Sequence, residues 1–352
     1  MARTHRPTLV GRRLDSPRHA AELAGLAVTA VLAAVMLGFI TLYALQDLPY
    51  ASGLYAEFRS GGRLLDHLLG TNVFRHPFMW QSLATGVFIG VVAPLVGAFL
   101  VHREMALIGE TLAHTAFAGV AVGLLFIALT GWTGSLLVVA LLVGILGALC
   151  VQWLADRTST YGDVPIAIML SGSFAVGTLL ISWGRGFMAI AVDVEGFLFG
   201  SIAVVTVEGA RLMAILSIAV VAVVALTYKQ LLFITFDEQA ARVAQLNVTA
   251  YNTLLVVMTA VVVVGAMQIL GVILVAAMLV VPVAAASQVS HSFRETLYLS
   301  VIFGQIAVLC GFAFSVWQGL PAGGSIVLVA IAIYVLAIAA TERSTAISTI
   351  NS

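Results

Sequence analysis

The chain has 352 residues with 16 basic and 16 acidic side chains, a formal net charge of zero, and 61% hydrophobic against only 9% charged residues. A soluble domain carries about 25% charge, and the mean hydropathy of +1.11 excludes that class; no basic surplus exists to bind nucleic acid. Repeated apolar runs long enough to cross a bilayer core, which takes about 20 helical residues, give the reading of an all-α polytopic membrane protein.

In chain order, residues 1–22 form a basic segment with Arg3, Arg6, Arg12, Arg13 and Arg18. The apolar run at 23–45 follows it. That run is too long for the apolar core of a signal peptide, typically about 7–15 residues, so it reads as a retained helix with a cytoplasmic N-terminus. Residues 46–77, rich in glycine and mixed in polarity, read as an extracytoplasmic loop. Spans then follow at about 78–101, 105–129, 134–154, 164–183, 209–234, 250–268, 270–288, 296–317 and 323–341, giving about nine to ten membrane helices in all. The stretch 250–288 has no charged residue and is too long for one crossing, which places a tight turn near Gln268 to Gly271. GFLFGSIAVV, near 196–205, is too short to cross and fits a re-entrant or broken segment packed against protein. The tail at 342–352 returns to the cytoplasm.

The positive-inside rule supports this topology. Arg103, Arg157, Lys229, Arg242, Arg294 and Arg343 fall inside, whereas Arg59, Arg63, Arg75 and Arg185 fall outside. Both termini are then cytoplasmic. Gly86/Gly90 and Gly119/Gly123 have the small-residue spacing that lets helices approach closely. Cys150 and Cys310 lie within apolar runs and read as small buried residues, and Met105, Met169, Met267 and Met278 as packing residues. Tyr161 and Asp163 read as an interface anchor and a helix cap.

Beyond residue 77 nearly all charges lie at span ends or in loops. The exception is MALIGETLAHTAFAG at 105–119, which places Glu110 and His114 within a span at i and i+4, on one helix face. Ionisable groups at membrane depth usually face a cavity or partner and mark a pathway. The pair fits three roles: a mutual hydrogen bond bracing the helix, a proton relay, or a ligand pair for a divalent first-row metal. One chain supplies two ligands. Two copies across a dimer axis would supply four, enough for zinc's tetrahedron or part of manganese's octahedron. The chain has no H-E-x-x-H and no G-x-x-x-x-G-K-[ST], so neither a zinc protease nor an ATP-binding phosphate loop is present. In the inside loop, Asp237 and Glu238 suit the first turn of a short helix. Ala240, Ala241 and Ala244 would give that helix a small-residue face open to another protein.

Several collinear blocks resemble the integral-membrane permeases of the zinc/manganese family of ABC importers. They are REMALIGETLAHTAFAGVAVG (103–123), YGDVPIAIMLSGSFAVGTLLIS (161–182), FLFGSIAVV (197–205), FDEQAARVAQLNV (236–248), GVILVAAMLVVPVAAA (271–286) and PAGGSIVL (321–328). The likeness covers about 78–341, the permease core, and leaves 23–77 as an addition expected to be dispensable for translocation. It implies a homodimeric permease without enzyme activity, bearing no permanently bound cofactor. It also implies a cytoplasmic ABC ATPase that hydrolyses ATP, and an extracytoplasmic metal-binding protein that delivers Zn²⁺ or Mn²⁺, with iron a further candidate cargo. The family's transit ligands, an Asp and a His, fall on Glu110 and His114. Its ATPase-coupling loop falls on Phe236, Asp237, Glu238, Ala240, Ala241, Ala244 and Gln245. Glu110 replaces the usual Asp, Gln245 stands where Gly is usual, and Asn247 where Pro is frequent. Two other readings compete: a related permease for a chelated substrate of siderophore or cobalamin type, and a secondary metal carrier needing no ATPase.

Overall fold

A computed structural model describes residues 17–132, 134–157, 164–184, 198–200, 205–272 and 274–350. Twelve helices, numbered here in chain order, account for most of them. They are α1 (Pro17–Ala44), α2 (Pro49–Leu69), α3 (Pro77–His102), α4 (Ala106–Thr130), α5 (Leu136–Arg157), α6 (Val164–Gly184), α7 (Val207–Phe236), α8 (Glu238–Val243), α9 (Val248–Leu270), α10 (Val275–Val289), α11 (Phe293–Gln318) and α12 (Ala322–Ile350). Among the described residues, nine of these are long and apolar enough to cross a membrane, and α10 is a shorter apolar helix beside them. The ten expected spans therefore each have a helix.

Burial sorts the helices into a centre and a periphery. The apolar window of α3 is 89% buried, whereas that of α6 is 11% buried, so α3 is the axis and α6 lies open to lipid or a second chain. Backbone contact sets the packing around α3. A Cβ on Gly97 would lie 1.8 Å from the Leu279 carbonyl oxygen of α10, so only glycine permits that crossing. Gly86 and Gly90 meet Val308 and Gln305 of α11, and Gly119 and Gly123 meet Ala140 and Leu136 of α5, the close approaches that their spacing forecasts. Pro94 within α3 removes one helical hydrogen bond, and the buried Gln305 amide donates to the Val87 carbonyl at 2.6 Å.

The break expected in 250–288 falls at Gly271, whose φ of +77° lies in the left-handed region that glycine enters freely. Leu198 and Phe199 form a helical turn ending at Gly200, with φ +78°. The backbones of Gly200 and Gly271 meet at this point, and Gly323 abuts the carbonyls of Leu270 and Phe199. The described part of the 196–205 segment is thus wedged into the break between α9 and α10; residues 196–197 and 201–204 lie outside the described residues.

Two expectations need correction. Residues 46–77 are not a loop throughout: most form α2, with Pro49 in its first turn and Gly70 closing it at φ +65°. Its glycines mask a helical period in which Ala51, Tyr55, Phe58, Gly62 and Asp66 turn toward the bundle. Cys150 and Cys310 are exposed in the isolated chain, because α5 and α11 carry them on outward faces.

The added α1 and α2 are built into the bundle. Phe39 of α1 is buried and lies within 6.4 Å, ring to ring, of Tyr43, Tyr55, Phe58 and Trp80, the last on α3. The turn from α2 to α3 is held by Asp66. Its Oδ1 accepts from the Thr71 hydroxyl at 2.9 Å, the Val73 amide at 2.8 Å and the Phe74 amide at 2.9 Å, and its Oδ2 from the Arg75 amide at 2.8 Å. Trp80 Nε1 donates to the Phe74 carbonyl at 2.7 Å.

The carboxylate is covered by its own turn yet lies at the rim of the molecule. Burial works to raise its pKa, but the hydrogen bonds from Phe74, Thr71, Val73 and Arg75 outweigh it and hold the group at about 2, below the ordinary 3.8. A depressed folded-state pKa stabilises above the unfolded value and loses that contribution as pH falls toward the folded value. The turn should therefore be intact at pH 5 and open progressively between about 4 and 2. Emission from Trp80, with the other tryptophans replaced by phenylalanine, reports this. Asp66→Asn should remove the acid transition, and an unchanged transition in that variant would contradict the assignment.

Candidate metal site

The candidate ligands stand near the start of α4, which begins after the turn at Arg103 to Met105 and ends at Gly131, φ +66°. At 1.5 Å per residue, Glu110 lies about 6 Å and His114 about 12 Å along the helix from Ala106. Ile108, Leu112, Ala113 and Ala116 turn inward and are buried. The opposite side carries Leu107, exposed at 43%, then Glu110, also exposed, and His114, half-buried.

α6 walls one flank of this face. Thr111 Oγ1 donates to the Ile166 carbonyl at 3.3 Å, and Thr115 and Ser173 share a hydroxyl hydrogen bond at 3.1 Å. The His114 ring meets Phe174 edge-on at 5.0 Å between centroids. That contact fixes the imidazole plane but offers no acceptor. Its Nδ1 is buried without a hydrogen-bond partner. Among the described residues, no hydrogen bond or ion pair joins Glu110 to His114, so the brace reading has no geometric support. Nor do the described residues contain a cluster of three or more His, Cys, Asp or Glu. One chain places two candidate ligands on one helix face.

The second group of site residues lies at the same end of the bundle. Phe236 ends α7 and is 63% exposed. Asp237 caps α8 by accepting from the Ala240 amide at 2.8 Å, and Glu238 pairs with Arg242 at 2.6 Å. Ala240 is half-buried, while Ala244 and Gln245 are exposed. Ala241 departs from expectation: it is fully buried against Ile234 and Val248, so it faces the bundle and no partner reaches it. Consecutive residues 240 and 241 lie about 100° apart on a helix and cannot share one outward face. The outward apolar residue is Val243, exposed at 85%, which sequence reasoning overlooked.

Gln245 adopts φ +61°, the conformation glycine takes without strain, and Asn247 caps α9 through the Ala250 amide at 3.1 Å. The turn geometry thus survives both departures from the usual family residues. Tyr161 and Asp163 lie outside the described residues.

A residue taken only as a topology marker packs against the second group, just ahead of α4 in the chain. Arg103, between α3 and α4, has a side chain just 8% exposed. Its guanidinium donates to Asn252 Oδ1 on α9 at 2.7 Å and lies 3.7 Å from Glu238 of α8. One terminal nitrogen, Nη1, is buried without a partner. The group borders a cavity of about 390 Å³ that Gln152, Thr235, Glu238 and Asn252 also line. Burial lowers its pKa and Glu238 opposes the shift. Two positive-φ residues, Glu104 and Gln245, flank this linkage. Strained backbone of this kind concentrates at switch regions.

The family profile of the ABC 3 transport family matches residues 75–341. The chain belongs to the ABC 3 transport family. It is 30% identical over 265 residues to the manganese transport system membrane protein MntC of Listeria monocytogenes, covering 75% of this chain and 91% of that protein. It is likewise 30% identical over 259 residues to the manganese import system permease protein ScaB of Streptococcus gordonii, covering 74% and 90%. Among solved structures, PsaBC from Streptococcus pneumoniae in complex with Fab superposes with a TM-score of 0.66 at 29% identity, over 80% of this chain and 94% of that one. As a member of this family the chain is a multi-pass metal permease, and α1, α2 and most of the turn from α2 to α3 precede the matched region.

The burial of Ala241 gives a direct check on α8. Ala241→Asp places an unpaired carboxylate in an apolar contact and should destabilise the purified chain by roughly 2 kcal/mol, whereas Val243→Asp should change it by less than about 0.5 kcal/mol. Thermal unfolding in detergent measures both. Equal effects would contradict the orientation of α8.

Proposed function

We propose that the chain is the translocating subunit of an ATP-driven importer that carries Mn²⁺ across the cell membrane, with Glu110 and His114 as transit ligands. The observation that carries this reading is their shared face on α4: an exposed carboxylate one turn from an imidazole with an unpartnered ring nitrogen. Carboxylate oxygen and imidazole nitrogen suit Mn²⁺, and also Zn²⁺; the names of the relatives given above favour manganese. Two ligands are too few for a metal site, so the active unit is a homodimer in which two α4 faces converge. A cargo site should also hold its ion loosely enough to release it. The ionisable pair argues against a chelated substrate, whose organic shell needs no protein ligand of this type.

In this reading α8 sits on the cytoplasmic side and docks on a separate ATPase, with exposed Phe236 and Val243 as its apolar contacts. Such a docking patch has no counterpart in a secondary carrier. Both termini are cytoplasmic, and an extracytoplasmic metal-binding protein delivers the ion at the opposite end. Arg103 conveys movement of α8 to α4, since it touches Glu238 and stands three residues before α4 begins.

Uptake of radioactive Mn²⁺ into proteoliposomes holding the assembled complex tests the ligands. Glu110→Gln and His114→Ala should each lower the initial rate by more than about tenfold, with expression and assembly unchanged. Glu110→Asp should retain much of it, because the anionic oxygens remain. Near-normal uptake by the double variant Glu110→Gln/His114→Ala would refute the assignment.

A further inference from the structure

A polar cavity lies far from the metal ligands, at the end of the bundle opposite α8. It has a volume of about 670 Å³ and is lined by Arg59, Arg63, His67, Arg75 and His76 around Asp66, with Gly70, Thr71 and Asn72 completing it. The positive-inside pattern leaves these three arginines as its principal exception, and the metal pathway makes no use of them.

The cavity is strongly cationic and preformed. Its one acid, Asp66, already accepts four hydrogen bonds from its own turn and lies 3.5 Å from Arg75 Nε, so its charge is engaged. Arg59 and Arg63 stand at i and i+4 on α2, and neither has a salt bridge among the described residues. Three guanidinium groups repel a divalent cation, so the histidines here do not form a metal waystation. The fitting ligand is an anion, and guanidinium forks match phosphate geometry.

The helix that carries the arginines identifies the source. α2 has three faces. One, with Ala51, Tyr55 and Asp66, is buried against the bundle. A second carries Tyr50, Leu54, Leu64 and Leu65, exposed at 90%, 55%, 60% and 38%. The third carries Arg59, Arg63 and His67, all exposed. An apolar face opposite a basic one on a helix of low overall hydrophobicity is the pattern of helices lying in the membrane interface. Glu57 interrupts the apolar face, which keeps that face at headgroup level rather than in hydrocarbon.

We propose that α2 lies in the membrane interface and that Arg59 and Arg63 bind the phosphate of an anionic phospholipid headgroup in this cavity, with Arg75, held by Asp66 and Asn72, adding positive charge beside them. Lipid thereby fixes the added helices against the bundle. This holds independently of the metal reading.

Native mass spectrometry of the full-length chain in detergent tests it, with phosphatidylglycerol, phosphatidylcholine and inorganic phosphate as probes. Each basic residue near an anionic lipid is worth roughly a fivefold gain in binding, so Arg59→Gln/Arg63→Gln should lower phosphatidylglycerol affinity by about 30-fold. Phosphatidylcholine retention should not change. Arg59→Lys/Arg63→Lys should keep most of the phosphatidylglycerol binding, and added salt should weaken it in the native chain; these two arms decide the matter if the glutamine pair fails to assemble. Competition by inorganic phosphate would show that the phosphate group alone is read, and its failure to compete would show that the acyl chains on α2 contribute. Equal retention of the two lipids by the native chain would overturn the proposal. So would unchanged lipid binding in the glutamine pair, or loss of an acidic protein partner from that pair with lipid binding intact.

Discussion

A carboxylate on the outward face of a membrane helix is the constraint on which the rest turns. Glu110 is exposed in the single chain, in a helix whose surroundings are apolar, and facing hydrocarbon would cost several kcal/mol. No partner within the described chain relieves it. The neighbouring His114 makes no hydrogen bond or ion pair with it, and its own Nδ1 is buried without a partner. The face is therefore incomplete as it stands. A second α4 opposite it, with a cation between, satisfies both carboxylates and both imidazoles at once, and this is the physical basis of the proposed homodimer. The shallow burial of α6 next to α4 leaves room for such an approach.

Around this open face the bundle is rigid where it must be. α3 is held on its axis by backbone contact at Gly97 and by the Gln305 hydrogen bond to Val87. At one end the glycines 200, 271 and 323 lock the short segment into the break between α9 and α10. At the other end the contacts change character: a half-satisfied buried guanidinium, a cavity and two strained turns. A buried polar network with an unmet donor carries a cost that a fully satisfied one does not. Rigid packing at one end and a strained polar joint at the other fit a protein whose α4 is moved from the α8 side.

Much of this was legible in the sequence, and for physical reasons. Bilayer thickness fixes span length, so hydropathy placed a helix at each expected span among the described residues and put the break near Gly271. The i, i+4 spacing of Glu110 and His114 placed them on one face before any coordinates. What failed to show did so for equally definite causes. α2 was hidden because Gly61 and Gly62 are weak helix formers and its apolar residues are shared between the bundle and the exterior. Ala241 was misassigned because small size says nothing about direction, and only the helix phase separates it from Ala240 and Ala244. Arg103 read as a topology marker because a basic residue at a span end is usually solvated; its burial depends on Asn252 and Glu238, far away in the chain.

The central question is whether the metal site is shared between two chains. Equilibrium dialysis of the assembled complex against Mn²⁺, with metal and protein quantified on the same sample, measures that directly. One ion per two chains, lost on either Glu110→Gln or His114→Ala, is the predicted result. One ion per chain, or binding that survives both substitutions, would contradict it.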